Sequence, residues 1–194
     1  GLIEDAGADA IELNVYYVPT DVEMTGREIE DMYLDLLRQV KHSVTIPVAM
    51  KLSPFFSSTS NMAKRLVHEG ADGLVFFNRF YQPDIDIRTT TVVPRFELST
   101  SAELPLRLRW IAILFGRIQA SLALTGGVVA PQDGIKAVLV GADVVQMVSA
   151  LLNHGPSYVS VMRKALEQWL EWNKMGSLAD ARGRLSLKTT QDPE

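Results

Sequence analysis

Apolar and polar positions alternate between two periods along this chain, and the switches between them predict its elements. Short apolar runs at 10–15, 46–52, 73–77, 122–125 and 144–148 read as strands of a sheet buried on both faces. Between them the apolar spacing becomes three and four. Ile29, Met32, Tyr33, Leu36, Leu37 and Val40 share one face of a helix over 25–42, and Thr25 with Glu28 makes a capping box at its start. Helices are also predicted over 60–69, 106–116, 131–140 and 156–174. In the last, Tyr158, Val161, Met162, Ala165, Leu166, Trp169 and Leu170 are spaced for burial. The turns Gly7-Ala8-Asp9, Gly70-Ala71-Asp72 and Gly141-Ala142-Asp143 each lead into a strand. That recurrence is the internal repeat of a βαβ architecture, with glycine stopping each helix. Residues 79–103, rich in Thr, Val, Pro and Ser, break the rhythm and read as an excursion on the ligand-side rim. The stretch from Ser186 to Glu194 reads as a polar, frayed tail.

Five strands can be arranged in two ways. A closed (βα)8 barrel needs eight strands and about 250 residues, so the 194 residues here would form a single partial domain lacking about the first three strands. A doubly wound sheet places its glycine turn after the first strand, whereas here the glycine-bearing loops come last. The expected fold is therefore a partial TIM barrel. The start, Gly1-Leu2-Ile3-Glu4, falls within a helical pattern, so the chain reads as a piece of a longer one.

Composition narrows the chemistry. A net charge of −4 with no basic run argues against a general nucleic-acid binder. Cysteine is absent, which removes disulfides and thiolate chemistry and fits a cytoplasmic location. No apolar run approaches the ~20 residues of a membrane span. The segment Leu122–Leu152 carries the most information. Strand, Gly126-Gly127 turn, helix, strand and a helix opened by Ser149 can aim backbone amides at one phosphate. In a barrel such a site follows the last two strands. The other strand ends carry Asn14, Lys51, Asn78 and Thr125. Two amides and an ammonium on neighbouring strands suit a flat heterocycle. Lys51 follows apolar Val48, Ala49 and Met50, where a cation needs an answering anion such as a reduced flavin. Arg79, Arg88 and Arg95, with Tyr81 and Phe96, are candidates for lining an anionic substrate pocket, and Asp84 with Asp86 for acid–base work. His42, His68 and His154 show no ligand spacing.

These motifs together resemble the C-terminal portion of the dihydroorotate dehydrogenases, FMN-dependent barrels, and especially their unassigned dihydroorotate dehydrogenase-like relatives. The resemblance is carried by Glu12-Leu13-Asn14, Val48–Leu52, Asn78, Thr125-Gly126-Gly127, Gly141-Ala142, Gln146–Leu151, Gly155-Pro156, Ser177–Asp180 and Gly183. It implies hydride transfer to FMN, with Lys51 at the flavin ring and Gly126, Gly127, Val148 and Ser149 at its phosphate. Asn14 and Asn78 would then face flavin and substrate. The expected partners are a small-molecule substrate and, as an open question, a second copy in a homodimer. One departure stands out. After Glu-Leu-Asn the family usually has a Ser/Cys-Pro-Asn segment carrying the base, where this chain has Val15-Tyr16-Tyr17-Val18-Pro19. Tyr17 is the nearest stand-in for the base, and a phenol of ordinary pKa ~10 is a poor one. The expected activity is thus that of an FMN oxidoreductase resembling this family, which turns dihydroorotate into orotate in pyrimidine biosynthesis, with the actual substrate left open by the absent Ser/Cys base. Two alternatives remain: a barrel acting on a phosphorylated substrate without flavin, and a non-catalytic interaction barrel.

Overall fold

The computed structural model describes residues 1–188. The Gly-Ala-Asp repeats deliver a five-stranded parallel sheet of β1 (Ile11–Asn14), β2 (Val48–Leu52), β3 (Gly73–Phe76), β6 (Ser121–Thr125) and β7 (Val144–Gln146), ordered β1-β2-β3-β6-β7. Each crossover moves one strand along in the same direction, with no reversal of order. A doubly wound sheet reverses its order midway, so that alternative fails. The crossovers are α2 (Gly26–Ser43), α3 (Thr59–His68), α4 (Leu104–Leu114) and α5 (Pro131–Val140), and each helix packs on the next. The short α1 (Leu2–Asp5) precedes the sheet, and α6 (Ser149–His154), α7 (Tyr158–Trp172) and α8 (Leu178–Ala181) follow it. The capping box at α2 forms: the Glu28 amide donates to Thr25 Oγ1, and the Thr25 amide to the Glu28 carboxylate.

Alternation along each strand separates two faces. Val48, Met50, Leu52, Leu74, Phe76, Leu122 and Leu124 point at the helices and are fully or nearly fully buried. They make one core with Tyr33, Leu37, Met62, Leu66, Ile111 and Leu114 from α2, α3 and α4. The opposite face carries Glu12, Asn14, Ala49, Lys51, Val75, Ala123, Thr125 and Gln146, as the register shows. The sheet is rolled around this second face. Four flat strand spacings of ~4.8 Å would hold β1 and β7 about 19 Å apart, yet Gln146 Nε2 of β7 donates to Glu12 Oε2 of β1 at 2.6 Å. The curvature is that of a barrel wall, although β1 and β7 do not pair with each other.

Two expectations about the chain's later part need correction. On α7 only Met162 is buried, while Val161 is 49% exposed and Trp172 84%. The helix packs mainly on α5 and α6, so the predicted stripe has only part of a partner. The tail is fastened as far as it is described: Ser186 is buried and the Leu187 amide donates to the Ala112 carbonyl. The rest of that stretch, 189–194, lies outside the described residues. The excursion contains a small antiparallel hairpin, β4 (Asp84–Asp86) and β5 (Thr91–Val93), and ends in a 3-10 turn at Ser101–Glu103 that runs into α4.

Candidate functional site

A cleft of about 990 Å³ opens at the C-terminal ends of the strands. Parallel packing brings those ends to one rim, so residues far apart in sequence meet there: Lys51 from β2, Asn78 after β3, Thr125 at the end of β6 with Gly126 following it, and Val148 and Ser149 after β7. The excursion supplies the facing wall through Arg79, Tyr81, Arg95, Phe96 and Ser99. Arg88, grouped with them by sequence, is not in the lining.

On the β1–β3 side the two asparagines touch. Asn78 is buried, and its side-chain amide donates to Asn14 Oδ1 at 2.6 Å and to the Val15 carbonyl at 3.1 Å. Lys51 is not free of counter-charge, since its Nζ lies 3.3 Å from Glu12 Oε1. Glu12 thus divides its carboxylate between Lys51 and Gln146, and it holds the ammonium at the floor of the rolled face.

On the β6–β7 side the loops are braced from behind. Gly126 and Gly127 both have positive φ, 84° and 79°. A Cβ on Gly126 would sit 2.9 Å from the Arg107 guanidinium, and one on Gly127 would sit 2.8 Å from the Leu104 nitrogen. Only glycine permits that approach and that backbone. Gly127 accordingly turns toward Leu104 and is not in the cleft lining, whereas Gly126 is. Ser149 is buried, and its Oγ accepts the amide and the hydroxyl of Ser99, each at 2.9 Å. Just ahead of α5 the chain is braced by buried Asp133, which accepts the Val129 and Ala130 amides.

Tyr17 does not join this constellation. It lines a separate groove with Val15, Met32 and Leu36 against α2, and its hydroxyl meets Met24 Sδ at 3.3 Å. β1 ends at Asn14, and the chain leaving it places Tyr17 on the α2 side. The phenol that faces the cleft is that of Tyr16, whose oxygen accepts the Tyr81 amide at 2.9 Å and whose ring packs on Phe80. Asp84 is bound to Arg95, and Asp86 caps the hairpin turn through the Arg88 amide, so neither is poised for acid–base work.

Sequence reading missed three further residues. Arg107, on α4, is only 6% exposed and lines the cleft; its Nε donates to the Thr125 carbonyl at 2.5 Å and its Nη1 to the Glu103 carbonyl at 2.7 Å. Burial, with Arg79's charge adding to it, holds its guanidinium below the usual arginine range, against the pull of Glu103. Ser99 and Glu12 were the others. Ser99 becomes visible only through its contact with Ser149, fifty residues away.

A sequentially ordered, rolled parallel sheet with a polar cleft at its carboxyl rim defines a βα-barrel type of ligand-binding protein. A family model for dihydroorotate dehydrogenase matches residues 2–170, and the chain belongs to that family. Among curated relatives, the chain is 27% identical over 187 residues to the catalytic subunit of dihydroorotate dehydrogenase B (NAD(+)) of Thermoplasma acidophilum. That match covers 93% of this chain and 61% of the relative. The same subunit from Citrifermentans bemidjiense is 30% identical over 156 residues, covering 79% and 51%. The one from Shouchella clausii is 27% identical over 188 residues, covering 94% and 61%. The chain spans about three fifths of the length of the relatives it matches most fully. Among the described residues no helix is long and apolar enough to cross a membrane.

Proposed function

We propose that the chain forms the FMN-binding portion of a flavin-dependent oxidoreductase of the dihydroorotate dehydrogenase type. The observation that carries this reading is the convergence of Lys51, Asn78, Thr125, Gly126, Val148 and Ser149 on one cleft from four strands. Their chemistry fits the group: an ammonium and a buried amide for an electron-rich ring, and a glycine loop, a serine and an arginine at the other end for a phosphate. Bound there, FMN supplies hydride acceptance at its ring. Lys51 would sit at that ring with Asn14 and Asn78, and Gly126, Val148 and Ser149 would bound the phosphate, with Gly127 supporting the loop from behind.

The substrate in this reading is a small molecule, and replacement of the family's base segment by Val15–Pro19 leaves its identity to a substrate screen that begins with dihydroorotate. The proton-transfer role assigned to Tyr17 passes in this reading to Tyr16, the phenol on the cleft. A cytoplasmic location and a homodimer complete the reading; the absence of cysteine supports the first. The deciding measurement is an absorbance spectrum with FMN quantification on the full-length protein. Flavin at close to one per chain is the expected result. Absence of flavin after incubation with excess FMN would move the assignment to a phosphorylated substrate in the same cleft, or to a non-catalytic barrel.

A further inference from the structure

The two ends of the cleft differ in kind. The β6–β7 end is lined by Arg107, Thr125, Gly126 and Ser149, whereas the β1–β3 end is largely aromatic. The loops that leave β1, β2 and β3, three neighbouring strands, each put one ring into the lining: Tyr16, Phe55 and Phe80. The rings touch in a row. Tyr16 and Phe80 have centroids 4.8 Å apart and Phe80 and Phe55 5.6 Å apart, with tilts of 37° and 43°. Tyr16 is nevertheless 51% exposed and Phe55 74%, so the row keeps much apolar surface in water. Single exposed apolar side chains are ordinary, but a contiguous set lining a cleft marks a ligand surface. The polar groups at this end narrow the ligand. The cations there already face carboxylates: Lys51 faces Glu12, Arg79 faces Glu103, and Arg95 faces Asp84 and Glu97. An anionic ring would have to displace one of those partners. Asn78 has given both hydrogens of its side-chain amide to Asn14 Oδ1 and the Val15 carbonyl. The Tyr16 hydroxyl still has a hydrogen to donate: its oxygen accepts the Tyr81 amide, and among the described residues its hydrogen has no acceptor.

We infer that Tyr16, Phe55 and Phe80 form a stacking wall that selects a neutral, planar, conjugated ring bearing a carbonyl over a ring acid such as dihydroorotate or orotate. The Tyr16 hydroxyl donates to that carbonyl. Tilted ring contacts of this kind supply favourable energy beyond the area they bury, and they ask for no charge on the ligand. That the ligand is the substrate rests on the function proposed above; the stacking wall itself does not.

The test uses the full-length protein, with and without added FMN, and four probes read by isothermal titration calorimetry. Coumarin is a neutral conjugated ring with a carbonyl, naphthalene is its carbonyl-free counterpart, uracil is neutral but polar, and orotate is the ring acid. Wild type should bind coumarin at least about ten-fold more tightly than orotate or uracil. Phe55→Ala and Phe80→Leu should each weaken coumarin by about five-fold or more. Phe55 is mostly exposed, so its variant keeps the idea testable should Phe80→Leu fold poorly. Tyr16→Phe, which keeps the ring, should weaken coumarin several-fold and leave naphthalene unchanged. Orotate or uracil binding as tightly as coumarin overturns the inference. So do ring variants that lower the melting temperature of the unliganded protein while coumarin affinity stays the same, as rings packed only for stability would give. An equal loss of coumarin and naphthalene in Tyr16→Phe removes the hydroxyl's part. Flavin at one per chain without a preference for coumarin overturns the wall and leaves the flavin reading standing. Coumarin binding that is lost in Phe55→Ala, in a protein that takes no flavin, does the reverse.

Discussion

At the scale of single residues, the cleft owes its character to a few charges that the fold compels to share partners. Lys51 and Gln146 meet on Glu12, one from β2 and the other from β7. Replacing Glu12 by Gln leaves Lys51 without its counter-charge, so the flavin in this reading should become easier to reduce. A reduction potential raised by tens of millivolts, measured by equilibrium dye titration, is the expected outcome; an unchanged potential would separate Glu12 from Lys51's role. Gly141 and Gly183 flank the ring of Phe115, and a Cβ on either would fall within 2.4 Å of it. Both have positive φ. Gly141→Ala should therefore cost about 2–4 kcal/mol from left-handed strain plus overpacking, read as a lowered urea midpoint. Phe115→Leu in the same protein should recover part of that loss by making room.

At the scale of elements, the Gly-Ala-Asp repeat proves to be a strand clamp as well as a helix stop. The Asp72 amide donates to the Val48 carbonyl and its carboxylate accepts the Val48 amide at 2.8 Å, which fixes the start of β3 against the start of β2. Asp143 does the same to Leu122 and so ties β7 to β6. Asp9 precedes β1, the edge of the described sheet, and has no such strand to hold. Asp72→Asn and Asp143→Asn should each cost about 1 kcal/mol by weakening a charge-assisted bond, and Asp9→Asn in this chain should cost nothing measurable. Burial pushes the Asp72 carboxyl upward, but the Lys41 ammonium and the Val48 amide outweigh it and hold the group below the usual carboxylate range. A depressed folded-state pKa contributes stability above the unfolded value of ~3.9 and loses it as pH falls through the folded value. The difference between wild type and Asp72→Asn should thus be full at neutral pH and shrink below about pH 4, a comparison that denaturant melts at several pH values would settle.

At the scale of the whole molecule, one face of the sheet is sealed by helices while the other stays open. Val144 is 47% exposed on the rolled face, and β1 and β7 present unpaired edges among the described residues. Unpaired edges and exposed apolar surface invite association. The 194-residue chain by itself should sediment as a concentration-dependent mixture; a monomer that unfolds cooperatively with ordinary stability would refute that expectation.

Element type and order were legible in the sequence because periodicity is local. The five apolar runs, the Thr25–Glu28 box and the three Gly-Ala-Asp turns all depend on neighbours within a few residues. The strand-end residues Lys51, Asn78, Gly126 and Ser149 were legible for a related reason: parallel strands bring their carboxyl ends to one rim, so position along a strand implies position in the site. Direction and sharing were not legible. One residue along the segment leaving β1 separates Tyr17, in an outer groove, from Tyr16, on the cleft. Arg107 has the pattern of an ordinary polar helix position, and only the approach of α4 to the Gly126 turn buries its charge. The local code determined which elements form and in what order. Tertiary packing alone decided which charges must share a partner, because that depends on distances between segments that no spacing along the chain records.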